Sequence, residues 1–135
     1  MRNSIVLIAL VLAGGLISCN KTNSEPSFKS KILGKWRVVA TNNFRNDSGI
    51  VVEWGGYYVN SVTLNKDDSF AVNGGPGSAG TWKLKDYDKK IVFYVFSDFM
   101  GTHFADTTEF KISIDTNEDL IFQQGTTIYR HKKIN

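Results

Sequence analysis

The chain has 135 residues, sixteen Lys and Arg against thirteen Asp and Glu, a single cysteine and a net charge of +3. That length makes one domain and no more, and lysines dispersed along the chain exclude the concentrated basic face that nucleic-acid binding needs. A lone cysteine leaves no internal disulfide, so the fold must be held by its core.

Arg2 is followed by an apolar run, residues 5–17, too short for an ordinary membrane span. A charge followed by a short apolar stretch is the layout of an export leader. The leader ends Leu16-Ile17-Ser18-Cys19. This ending resembles the lipobox of bacterial lipoproteins, in which the cysteine is lipidated and becomes the first mature residue. The resemblance implies a signal peptide at 1–18 and a lipidated Cys19. It also implies a flexible polar tether over 19–27 and residence in the cell envelope, at the outer membrane. Two or three acyl chains anchor stably where one is marginal. The competing reading is a plain cleaved leader, with Cys19 left unmodified.

From about Phe28 onward the apolar residues recur with period two, the strand signature. Trp82 and Leu84 share one face of Thr81-Trp82-Lys83-Leu84-Lys85, and Phe110, Ile112 and Ile114 share another. Strands are expected at 34–42, 57–65, 69–73, 80–86, 90–96, 107–115, 119–124 and 126–132, with at most a short helical turn at 28–33. Eight closely spaced strands with one apolar face predict an all-β domain over 28–135, an eight-stranded antiparallel up-and-down barrel. Trp36, Phe70, Trp82, Phe93, Phe110 and Phe122 are the expected inward residues. Residues 91–96 are apolar on both faces, so one face should pack against another element or a partner.

The expected connections alternate in length. Long segments follow the first, third and fifth strands (43–56, 74–79, 97–106), and tight polar turns follow the second, fourth and sixth (66–68, 87–89, 116–118). In a meander, successive connections lie at opposite ends. One end is thus closed by short turns, and the other carries long loops of the kind that usually bind.

Gly34-Lys35-Trp36 at the start of the first strand resembles the Gly-x-Trp signature of lipocalins, and Arg130 stands on the last strand where that superfamily sets an arginine against the tryptophan. The chain is similar to the lipocalin-like lipoproteins of Bacteroidetes. Gly34, Trp36 and Arg130 are then structural residues of the closed end. The ending Ile128-Tyr129-Arg130 also resembles fatty-acid-binding proteins. Those insert a helical pair after the first strand, and 43–56 has no helical pattern.

The long-loop end is unusually aromatic. Trp54, Tyr58, Trp82, Phe99, Met100 and Phe104 are the candidate apolar walls of a ligand site, with Asn60, His103 and Gln124 as its polar handles. The competing reading has these aromatics capping the core. Gly74-Gly75-Pro76-Gly77 lacks the lysine and following helix of a phosphate loop. His103 with Asp106 supplies two metal ligands where a catalytic zinc site needs three. His103 and His131 fall at opposite ends, so they build no shared catalytic site, and Arg130-His131-Lys132-Lys133 reads as a solvated strand end.

The expectation is a membrane-anchored, non-enzymatic protein without cofactor or metal. It binds a small apolar molecule noncovalently at the long-loop end. The alternative is a filled barrel that serves as a protein-interaction or structural module of the envelope. An eight-stranded barrel is only just wide enough either to fill itself or to hold one small ligand.

Overall fold

A computed structural model describes residues 25–54, 57–74, 79–99 and 102–135, with backbone alone for 57, 97–99 and 102–104. The leader and Cys19 lie outside the described residues. A short helix α1 (Phe28–Ile32) leads into β1 (Gly34–Thr41). There follow β2 (Val52–Trp54), β3 (Tyr57–Val59), β4 (Ser61–Leu64), β5 (Ser69–Asn73), β6 (Ala79–Lys85), β7 (Lys90–Phe99), β8 (Thr102–Ile114), β9 (Leu120–Gln124) and β10 (Thr127–Ile134). Eight of these strands close an antiparallel up-and-down barrel in the order β1-β10-β9-β8-β7-β6-β5-β4. The expected fold class is the observed one.

The expected strand 57–65 is two strands. β3 pairs with β2 in a separate hairpin, and only β4 joins the barrel. The break is at Asn60, whose N–H donates to Asn73 O and whose carbonyl accepts from Val38 N. Its side-chain amide donates to Ile50 O at 3.1 Å. Gly74 makes this crossing possible. Its φ is +139°, and a Cβ there would lie 2.4 Å from Asn60 N.

Residues 43–51 are likewise tied down. β4 pairs only with residues 34–37 of β1; above that point Asn46 N and Ile50 N donate to Val39 O and Val38 O, both at 2.8 Å. The expected loop 97–106 is a correction of the opposite kind, because β7 and β8 stay paired out to Phe99 and Thr102. Aromatic and β-branched residues favour continued pairing.

All six expected inward residues are buried. On the second apolar face of β7, Val92, whose cross-strand neighbours are Lys83 and Glu109, is buried, while Phe96 is left 62% exposed.

The short-turn end is plugged by α1. Ser27 caps it by accepting from Ser30 N, and Ile32 is fully buried in the core. The indole N–H of Trp36 donates to Ile32 O at 2.7 Å. Gly34, where the chain turns from helix into strand, has φ +116°, which explains why the position before Lys35-Trp36 is a glycine.

Candidate functional site

The β2–β3 hairpin folds over the long-connection end and drives Trp54 into the barrel. Its alternation does this: Val52 and Trp54 are buried while Glu53 between them is exposed. Trp54 is only 4% exposed and sits amid Phe93, Phe110, Phe122, Tyr129 and His131, with ring centroids 5.0–6.1 Å away. Tyr129 fastens the hairpin by donating its hydroxyl to Glu53 O at 3.2 Å. Burial pushes the Tyr129 hydroxyl above its ordinary range, and the Glu53 charge adds to that.

The interior that results is filled by side chains. Among the described residues its void is about 20 Å³, bounded by Trp54, Val59, Phe70, Phe93, Val95 and Thr108. That is room for about one water molecule. Trp54 is therefore a wall that has become the contents.

His131, expected at a solvated strand end, is instead fully buried beneath Trp54. β10 alternates Tyr129 and His131 inward against Arg130 and Lys132 outward, so the charged neighbours hide an inward residue. The His131 Nδ1 lies 3.1 Å from Leu120 O, which fixes the neutral tautomer with its proton there, and Nε2 has no partner. Burial pushes the imidazole down to about 4, against smaller opposing effects of its backbone hydrogen bonds. Trp54 Nε1 is also buried and unpartnered. The core thus holds one bare donor and one bare acceptor in aromatic surroundings.

The other candidate residues are dispersed. Tyr58 is 56% exposed on the outer side of the hairpin, opposite Glu53. Asn60 is a half-buried strap for the backbone, and Gln124 is exposed at the end of β9. Phe99 ends β7, and His103 and Phe104 lie on β8 opposite Asp98 and Ser97. Met100 and the side chains of Phe99, His103 and Phe104 lie outside the described residues. Trp82 belongs to the other end of the barrel: its backbone N–H donates to Asp68 O in the β4–β5 turn, its indole N–H to Ser69 O, and Lys29 of α1 lies 5.3 Å from its ring. Trp54 and Trp82 therefore do not face one ligand.

Arg130 does not meet Trp36. Register sets Trp36 opposite Lys133, whose Nζ lies 5.2 Å from the indole centroid. Residue 130 has the opposite parity and faces outward, where its guanidinium bonds Asp115 and Asp119. Burial raises the Asp115 carboxyl, but Arg130 and the N–H groups of Asp119 and Asn117 outweigh that and hold it below the usual range. This cluster pins the β8–β9 turn. Among the described residues no three His, Cys, Asp or Glu converge on a metal-sized site. Comparison with protein-family models, with curated proteins and with solved structures found no match.

Proposed function

We propose that this chain is a lipid-anchored, non-catalytic module of the bacterial envelope that works through the outside of a lipocalin-like barrel, docking a protein partner instead of carrying a small molecule within. The observation that supports this reading is the filled interior, where the indole of Trp54 occupies the place of a cargo. A ligand of more than a few atoms requires the hairpin to leave, giving up Val52, Trp54 and Val59 from the core. Exposed apolar side chains support the docking role. Phe44, Val51 and Tyr58, each 56% exposed, all lie on the excursion between β1 and β4. The anchor is Cys19, by the likeness of Leu16-Ile17-Ser18-Cys19 to a lipobox.

The test is titration of the mature chain with fatty acids, isoprenoids and flat aromatic compounds, followed by tryptophan fluorescence and native mass spectrometry. The expected result is no saturable quenching and no co-purifying small molecule, together with a discrete protein adduct from a photocrosslinker placed at Phe44 or Tyr58 in intact cells. One-to-one saturable quenching by any of these compounds would overturn the reading and restore the cargo-binding one.

A further inference from the structure

The β7–β8 hairpin rises past its neighbour on one side. β8 is paired with β7 from Thr102 to Lys111, but with β9 only from Lys111 to Ile114, because the β9–β10 hairpin turns back after Gln124. Among the described residues, no strand pairs with β8 between Thr102 and Phe110 on that side. The ladder shows which groups face the gap. Ile112 N donates to Lys89 O at the start of β7, so the even-numbered residues of β8 bond towards β7, and His103, Ala105, Thr107 and Glu109 turn their backbone N–H and C=O groups to the open edge. At Thr107 the Asp106 carboxylate accepts that N–H at 2.7 Å, in the place of a neighbouring strand.

The outer face of the hairpin is apolar at the same level. Phe96 stands between Ala79 of β6 and Ala105 of β8, and all three are exposed. An open edge is a template for another strand, and pairing with a second copy about a two-fold axis requires a sequence that tolerates its own reversal. With the axis at Ala105, residues 102–108 lie opposite residues 108–102 of the copy. Ala105 then meets Ala105, and the outer faces join in one row, Ala79-Phe96-Ala105-Ala105-Phe96-Ala79. Thr107 meets His103, and Asp106 stands opposite Phe104 and no acid. Other axes fail. At Asp106 two carboxylates stand directly opposed, which is destabilising. At Thr107 the copy's Thr102 needs the place opposite Ile112 that Phe122 of β9 already holds.

We propose that the open edge of β8 is a self-association surface, on which two copies of this chain pair antiparallel about Ala105 and join their barrels through one continuous sheet. Residues 103, 105 and 107 of the two copies supply about six ladder bonds across the axis, the Asp106 carboxylate giving up Thr107 N to the other strand. The two Phe96 rings lie over the paired alanines, which takes the exposed row out of water. So short a pairing makes a dimer that depends on concentration. The pairing rests neither on the anchor nor on the docking reading above. It duplicates the excursion used by that reading, so a partner meets two sets of Phe44, Val51 and Tyr58 at once.

The chain from residue 20 retains the whole core, which lies within Phe28–Ile134, and contains no cysteine. In sedimentation velocity over a concentration series it should pass from monomer to dimer. Ala105→Lys changes an exposed side chain and sets like charges face to face across the axis, so it should weaken the dimer about tenfold or more. Phe44→Ala, on the excursion, should leave the dimer unchanged. Ala105→Cys then introduces the chain's one thiol, about 5.5 Å from its copy between Cα atoms, within reach of a disulfide. Thr107→Cys sets its thiol opposite residue 103, about 14 Å along the strand from its own copy, and should cross-link far less under the same mild oxidation. A monomer at every concentration, a dimer dissolved by Phe44→Ala and not by Ala105→Lys, or equal cross-linking at 105 and 107 would overturn the proposal. Failure of the docking reading has a different signature: no protein adduct at Phe44 or Tyr58 in cells, with the dimer intact.

Discussion

Acidification should destabilise the protein through His131 in a pH range where little else titrates. In the native state the imidazole is held near 4 by burial, while in the unfolded chain it returns to about 6.5. The folded pKa is the lower one, so the unfolded state binds the extra proton first. Stability is complete above about 6.5, falls as pH drops through the window from 6.5 to 4, and is flat again below it as far as this group is concerned. The gap, at about 1.4 kcal/mol for each pH unit, amounts to about 3 kcal/mol. No charged side chain compensates, since the neighbours of His131 are Val38 and Leu120 across the ladders, with Phe122 and Trp54 over the ring. Carboxylates held low, such as Asp115 and Asp67, contribute their own loss only at still lower pH. Urea titrations at half-unit steps from pH 7.5 to 4 measure this directly, with an unchanged slope in denaturant certifying the same transition. His131→Phe keeps the core filled and should remove the pH dependence in this window, at a cost of about 1 kcal/mol at pH 7 for the Leu120 carbonyl left without its donor. A wild-type midpoint that stays level across the window, or a His131→Phe protein with the same slope, would refute the placement of this side chain.

The remaining predictions concern the tryptophans. Trp54→Ala should destabilise by about 3 to 5 kcal/mol as a core truncation and open a cavity that binds indole, seen as recovery of the thermal midpoint when indole is added. Lys133→Ala should perturb the near-ultraviolet signal of Trp36 and cost on the order of 0.5 to 1 kcal/mol, whereas Arg130→Ala should leave that signal unchanged and loosen the β8–β9 turn, read by faster amide exchange at Asn117 and Asp119. The reverse assignment of the two effects would show that the β1–β10 register is wrong.

Much of the barrel was legible because period two is a local property. Trp82 and Phe110 announce their face through their polar neighbours, and the short acidic turns mark the strand ends. Parity also held information that charge obscured. Counting by twos from Tyr129 places His131 inside and Arg130 outside, yet a run of four basic or imidazole residues reads as solvent-facing. Trp54 is a different case. Beside Glu53 and two glycines it looks like a loop residue; the alternation over 52–54 sets its face, but its burial comes from the hairpin folding across the barrel, a tertiary event. Residues 97–106 misled in the other direction. Serine, aspartate and glycine suggest a loop, and only the partner strand shows that the ladder continues to Phe99 and Thr102.

The pairing of β1 with β10 has a consequence for how the chain comes to be folded at all. Lys35 is bonded opposite Ile134, and Thr41 opposite Tyr129, so the first strand finds its long-range partner only when the last has arrived. Closing so large a loop is slow compared with forming the local hairpins. Until then the strand edge that β10 will cover stays open, a template for pairing with another chain. During synthesis from the N-terminus the hairpins β4–β5, β6–β7 and β7–β8 are able to form in passing, but ring closure, and with it the seating of Trp54 under Tyr129, belongs to the final step. Tryptophan emission during refolding should therefore change late, in one phase with barrel closure.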